Sequence, residues 1–78
     1  MLSKRTNLST EEVMQRAKDF FENRLGLEIR NESSDCCIEF VSNLGFVTVQ
    51  AIEDDQGREV KLTTREYEYQ IQEFLREF

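Results

Sequence analysis

Apolar residues near both ends of the chain recur every three to four positions, which is the period of an amphipathic helix. The first stripe consists of Val13, Met14, Ala17, Phe20 and Phe21. The second consists of Tyr67, Ile71, Phe74, Leu75 and Phe78. We therefore predict one helix that ends near Leu25, before Gly26, and a second helix from Thr64 to the C-terminus.

The two predicted helices share a start signal, "LSTEEV" at 8–13 and "LTTREY" at 62–67. In each, a hydroxyl residue, Ser9 or Thr63, precedes a glutamate by three positions, which is the pattern of a capping box. Apolar residues stand at the two ends of each signal, as in a hydrophobic staple. The pattern predicts helix starts at both places.

Between the helices, apolar residues alternate with polar ones, which is the period of a strand. The alternating segments are 27–30, 36–41, 46–52 and 59–62, separated by the turn sequences "NESSD", "SNLG" and "EDDQG". The connections are short enough for hairpins. We predict a two-layer α+β fold of the order α-β-β-β-β-α, with an antiparallel meander sheet and both helices on one face. The chain 1–78 is then a single small domain, and 1–7 are expected to be a flexible tail.

The alternation assigns each strand residue to one face of the sheet. The face toward the helices collects Leu27, Ile29, Cys36, Ile38, Phe40, Val47, Val49, Ala51, Val60 and Leu62. The opposite face is expected to be polar, yet it also receives Cys37, Val41, Phe46 and Ile52. An apolar patch rimmed by polar residues is typical of a contact surface. Tyr69, which falls on the polar side of the second helix, is a further candidate for partner contact because tyrosine is enriched at interface hot spots.

The charge of the chain limits its partners. The net charge is −6, with −7 in residues 31–78 and +1 in residues 1–30. Nucleic-acid binding requires a cationic surface, so no nucleic-acid partner is expected. The order helix, strands, helix is similar to that of the double-stranded-RNA-binding domain, but that family has a basic cluster where "TTREYEYQ" has Arg65 alone. No segment approaches the ~20 apolar residues of a membrane span, and the N-terminal sequence lacks a secretory apolar region.

Candidate catalytic and metal-binding groups are few. The chain has no histidine, and its two cysteines, Cys36 and Cys37, are adjacent and flanked by acids. Acids raise a thiol pKa, and zinc needs four ligands at wider spacing. On a strand, Cys36 is expected in the core and Cys37 outside, both as free thiols in a reducing cytoplasm. The acidic turn "IEDDQGREV" fails the calcium-loop pattern. We expect no catalytic residue, no cofactor and no metal site.

These observations favour a small cytoplasmic protein that is not an enzyme and that acts by protein contact. It is expected to form a homodimer through the uncovered sheet face or its edge. The alternative is a ligand-binding or enzymatic module with a pocket between helices and sheet. Arg24, inside the first apolar stripe, is either a solvated stem or the anion ligand of that pocket. A nucleic-acid-binding sheet is a third possibility, which the charge disfavours.

Overall fold

A computed structural model of the chain describes residues 1–33 and 35–78. Its elements, in chain order, are strand β1 (Leu2–Thr6), helix α1 (Thr10–Ala17), a π-helical segment (Lys18–Arg24), strands β2 (Glu28–Ser33), β3 (Cys37–Val41), β4 (Phe46–Asp54) and β5 (Gly57–Arg65), and helix α2 (Glu68–Arg76).

The five strands form one antiparallel sheet in the order β1-β5-β4-β3-β2. Both helical regions pack their apolar stripes against the same sheet face. The predicted two-layer α+β architecture is therefore confirmed, including the meander of β2 to β5. The sheet has one strand more than the four predicted.

The core lies between the helical layer and one sheet face, as the alternation predicted. Its aromatic centre is formed by Phe20, Phe21, Phe40 and Phe74, whose ring centroids lie 5.0 to 5.5 Å apart. The sheet contributes the buried residues Ile38, Phe40, Val47, Val49, Ala51, Val60 and Leu62, and Leu27 is buried just before β2. Ile29 and Cys36 were predicted to join them and are half-buried.

The first helix begins where its signal predicted. Ser9 Oγ accepts the Glu12 amide at 3.1 Å, and the Glu12 carboxylate accepts the Ser9 amide at 3.1 Å, which completes a capping box. Beyond Ala17 the helix continues as the π-helical segment and ends near Leu25, as predicted. Gly26 follows with φ +77°, a conformation that glycine adopts without a side-chain clash.

The second helix begins four residues later than predicted. Strand β5 continues through Arg65, and α2 starts at Glu68 with no side-chain cap from its preceding residue, Tyr67. Thr63 and Thr64 pair with Thr48 and Val47 of β4, so their backbone groups are used by the sheet. The prediction of a second capping box was wrong because strand pairing occupies the residues that the signal assigned to a helix.

The N-terminal residues are not a tail in this structure. Leu2–Thr6 form the edge strand β1, which pairs with β5 over five residues from Leu2↔Leu62 to Thr6↔Arg58. Lys4 turns toward the helical layer and donates from Nζ to the Leu75 carbonyl at 3.1 Å. The flexible tail predicted for 1–7 is corrected because β5 offers a free edge on which these residues pair.

The turn predicted for "NESSD" starts later than expected. Strand β2 runs to Ser33, which pairs with Cys37, and the strand contains a bulge between Ile29 and Asn31. Ser34 lies outside the described residues. The first three residues of this sequence, Asn31 to Ser33, therefore belong to a strand at the sheet edge, and Asp35 lies in a turn.

Candidate interaction surface

The sheet face opposite the helices, here called the open face, has no helix over it in the described chain. Val41 and Phe46 are direct partners in the β3–β4 pair, with Glu28 beside Val41 and Arg65 beside Phe46. Both apolar side chains are half-buried. Directly opposed residues of an antiparallel pair lie close enough for their side chains to contact. This end of the open face therefore holds an apolar pair between two charges of opposite sign.

The other two predicted contact residues of the face lie apart from that pair. Cys37 is opposite Gln50, and Ile52 is opposite Glu59, near the β4–β5 turn. Ile52 is 38% exposed. It follows Phe46 by six positions on one strand, a separation of about 20 Å. The structure thus divides the predicted patch into the Val41–Phe46 pair, half-buried Cys37 near the middle and Ile52 at the far end.

Tyr69 belongs to a different surface. It lies in α2 and is 61% exposed. Because α2 packs on the helix-facing side of the sheet, Tyr69 cannot share a continuous patch with the open face. The structure therefore does not bring this residue together with the other four predicted contact residues.

Cys36 and Cys37 form a disulfide between adjacent residues. The sequence prediction of two free thiols on opposite faces of a strand was wrong. Its geometric reason does not apply, because Cys36 lies in the turn before β3 and only Cys37 lies in the strand. The disulfide also removes one support for a reducing compartment, since such bonds persist chiefly in oxidising ones. The cytoplasmic location stays a prediction.

Charged residues of both signs are interspersed on the open face. Arg30 lies 3.5 Å from Glu39, and Lys61 lies 3.9 Å from Glu59. These ion pairs are solvent-accessible and stabilise the fold only weakly. Four basic and four acidic side chains give the face a charge of 0, which leaves −6 for the rest of a chain whose total is −6. They are Arg5, Arg30, Lys61 and Arg65, and Glu28, Glu39, Asp54 and Glu59.

An ion pair between β1 and the end of β4 lies at one corner of this face. Arg5 of β1 donates two hydrogen bonds to the Asp54 carboxylate, at 2.7 and 2.8 Å. These bonds, together with one from the Gln56 amide, lower the pKa of Asp54 to about 2. The same contact raises the pKa of Arg5. Sequence reasoning missed this pair because it treated Arg5 as part of a solvated tail.

The alternative prediction was a pocket between the helices and the sheet. The aromatic centre of the core fills that space. Arg24 does not point into it: the guanidinium donates to the Glu77 carboxylate at 3.1 and 3.2 Å and lies 5.0 Å from the Phe20 ring centroid. The Arg24 side chain is 59% exposed, which agrees with the solvated-stem interpretation.

The fold and surface define a class: a two-layer α+β domain with an open antiparallel sheet face. Within the described residues, no helix is long and apolar enough to cross a membrane. Comparison with protein-family models, curated proteins and solved structures found no match to this chain. The function is therefore argued from the geometry of the molecule.

Proposed function

We propose that the protein acts by protein contact and that the partner of its open face is a second copy of this chain. The observation that carries the proposal is the charge of the face, which is 0 in a chain of net −6. Two such acidic molecules repel each other over most orientations. They approach with less repulsion through a broad surface on which acidic and basic side chains balance, as they do on the open face.

The chemistry of the face supports self-association. A two-fold dimer uses the same patch on both copies, so that patch must complement itself. Val41 and Phe46 supply apolar area, and the flanking Glu28 and Arg65 supply opposite charges at the two ends of that row. An arrangement with both signs can match itself after rotation, whereas a face of one sign cannot.

The face is a better candidate than the sheet edges. An edge strand can pair with a strand of another chain unless a structural feature prevents it. Bulges and inward-pointing charged residues are two features that commonly do so. Edge strand β2 has a bulge between Ile29 and Asn31. Edge strand β1 has Lys4 turned inward onto Leu75. Both edges are thus protected, which favours the face over the edge of the sheet.

The dimensions of the sheet set the expected affinity. Five strands about 4.8 Å apart and about 20 Å long give a face of about 500 Å² per copy. A standard stable interface buries about 800 Å² per partner. We therefore expect a weak, reversible dimer with a Kd on the order of 100 μM, below the strength of an obligate assembly.

Sedimentation equilibrium between 10 μM and 1 mM, in non-reducing buffer, tests this proposal. We expect Phe46→Asp to weaken association at least about tenfold, because it places a charge in the apolar pair. Gln50→Arg changes an exposed residue in the centre of the face, so it separates loss of contact from loss of fold. Leu44→Asp is the matched control, since Leu44 is 70% exposed in the β3–β4 turn and outside the face.

Two results would contradict the proposal. One is a wild-type protein that remains monomeric at 1 mM. The other is a dimer whose Kd is unchanged in both Phe46→Asp and Gln50→Arg while circular dichroism shows that each variant is folded. A dimer disrupted by Leu44→Asp alone would place the contact at the β3–β4 turn and would also exclude the open face.

A further inference from the structure

A cavity lies at one end of the molecule, where the β1–α1 connection, the last turn of α1, the β4–β5 turn and the last residues meet. Its volume is about 500 Å³, within the range of small-molecule sites. The part of the wall that matters here comprises two guanidinium groups, two amide side chains and two apolar groups. They are Arg5 and Arg16, Asn7 and Gln56, and Leu8 and Phe78.

Most charges of this wall are already paired. Arg5 is held by Asp54, as described above. The one acidic side chain of the wall, Glu77, accepts both hydrogen bonds from Arg24. These two pairs cancel within themselves, so neither supplies a net charge to a ligand.

Arg16 is different. Its Nη1 donates to the Glu77 carbonyl oxygen at 3.1 Å, and its guanidinium lies 5.8 Å from the Phe78 ring centroid. Glu12 precedes Arg16 by about one helical turn, but its carboxylate is engaged by Ser9 in the capping box. The hydrogen bonds with Ser9, followed by the charge of Arg16, lower the pKa of Glu12. Within residues 1–33 and 35–78, Arg16 has no carboxylate oxygen within 4 Å. Among the described residues, the cavity therefore contains one guanidinium that forms no ion pair.

We propose that this cavity binds a small organic acid of single negative charge, with its carboxylate on Arg16 and its apolar part against Leu8 and Phe78. A guanidinium presents a planar fork of donors that matches a carboxylate. The single unmatched positive charge favours a monoanion over a dianion such as a phosphate monoester. The amides of Asn7 and Gln56 supply further hydrogen bonds. The cavity shares only Arg5 with the open face, so this proposal does not depend on self-association.

Titration of 15N-labelled protein with 3-phenylpropionate, followed by NMR, tests the site. We expect saturable shifts of the Asn7, Leu8 and Gln56 amides and a Kd on the order of 1 mM for so small a ligand. Arg16→Gln should weaken binding about tenfold, the effect of removing one charged hydrogen-bonding partner. Arg76→Gln is the matched control: Arg76 is an exposed arginine in the last turn of α2 and outside the cavity wall. It should leave Kd unchanged.

Two ligands distinguish the parts of the site on unmodified protein. Neutral 3-phenylpropanol should bind at least about tenfold more weakly, because it lacks the charge that Arg16 complements. Acetate should also bind about tenfold more weakly, because it buries little apolar surface. Absence of saturable shifts up to 10 mM 3-phenylpropionate would overturn the proposal. So would an Arg16→Gln variant with wild-type affinity, or 3-phenylpropanol or acetate binding as tightly as 3-phenylpropionate.

Discussion

The segments "LSTEEV" and "LTTREY" have the same pattern of apolar, hydroxyl and acidic residues, but they fold differently. In the first, Ser9 and Glu12 form a capping box at the start of α1. In the second, Thr63 lies inside β5, and Glu66 takes a positive φ of 81° between the strand and α2. One local signal therefore leads to a helix start in one place and to a strand in the other.

The difference arises from the neighbouring strand. The first signal follows β1, which ends at Thr6; Thr6 is paired with Arg58 at the start of β5, so the partner strand also ends there, in a turn. At the second signal the partner β4 continues, and Phe46 pairs with Arg65. Backbone pairing and the burial of Leu62 outweigh a cap that is worth about 1 kcal/mol. A helix start thus depends on whether the adjacent strand still offers hydrogen bonds.

The largest expected effect comes from Gly45. This glycine lies against Arg65, the last residue of β5, in the segment that the second signal assigned to a helix. A Cβ at this position would lie 2.1 Å from the Arg65 carbonyl oxygen and 2.9 Å from its carbon. Gly45→Ala should therefore lower the free energy of unfolding by about 3 kcal/mol, as overpacking against backbone does. Urea denaturation measures this change.

Asn43→Ala is the control for that variant, because Asn43 is an exposed residue of the same turn. It should change the free energy of unfolding by less than about 0.5 kcal/mol. Equal stability of Gly45→Ala and wild type would show that the close approach to Arg65 does not hold the end of β5 in the sheet.

The second test compares the two hydroxyl residues directly. Ser9→Ala removes an observed cap and should lower the free energy of unfolding by about 1 kcal/mol. Thr63→Ala removes only an exposed strand side chain opposite Thr48, and should cost about half as much. Urea denaturation measures the change in the free energy of unfolding for both variants, and hydrogen exchange shows which part of the structure each variant destabilises.

Hydrogen exchange should show faster opening of the first turn of α1 in Ser9→Ala. In Thr63→Ala the first turn of α2 should exchange as in the wild type. Faster exchange there would mean that Thr63 does act as a cap, and the comparison of the two signals would lose its basis.

Glu66 provides a third test with an effect of opposite sign. If Glu66 acted as a capping residue, its replacement would destabilise the protein. A residue with a positive φ is instead strained unless it is glycine, so replacement by glycine relieves that strain. Glu66→Gly should therefore raise the free energy of unfolding by about 0.5 to 1 kcal/mol. The control Glu68→Gly, in the first turn of α2, should lower it by about 1 kcal/mol. Destabilisation by Glu66→Gly in urea denaturation would restore the capping role.

The same contrast shows which parts of the fold could be predicted. Which residues face the core follows from alternation along each strand, so Phe40, Val47 and Leu62 were assigned correctly without knowledge of any partner. Where an element ends depends on its neighbours, so Thr64 was assigned to a helix. Strand β1 has one apolar residue, Leu2, and its pairing depends on a free edge of β5 that local sequence does not reveal.

Prediction of the candidate sites had the same limits. Outward alternation identified Val41 and Phe46, and the register then shows that they are partners. That Ile52 lies far from this pair could be concluded only once β4 was known to be one uninterrupted strand. The cavity beside Arg16 could not be predicted, because one of its walls is the N-terminal segment that was expected to be a tail.

The smallest expected effect concerns the anchor of the strand that precedes the first signal. Asp54 binds Arg5 of β1, and its pKa is lowered to about 2. A carboxyl whose pKa falls on folding stabilises the native state above its unfolded pKa, about 3.9 for aspartate. This contribution is lost as the pH falls from about 4 toward 2. Asp54→Asn should therefore lower stability at pH 7, and the difference from wild type should vanish near pH 2.

Thermal unfolding across this range measures the convergence, with Asp55→Asn, an exposed acid of the same turn, as control. Parallel stability profiles for Asp54→Asn and wild type from pH 7 to 2 would mean that the Arg5–Asp54 pair does not secure β1.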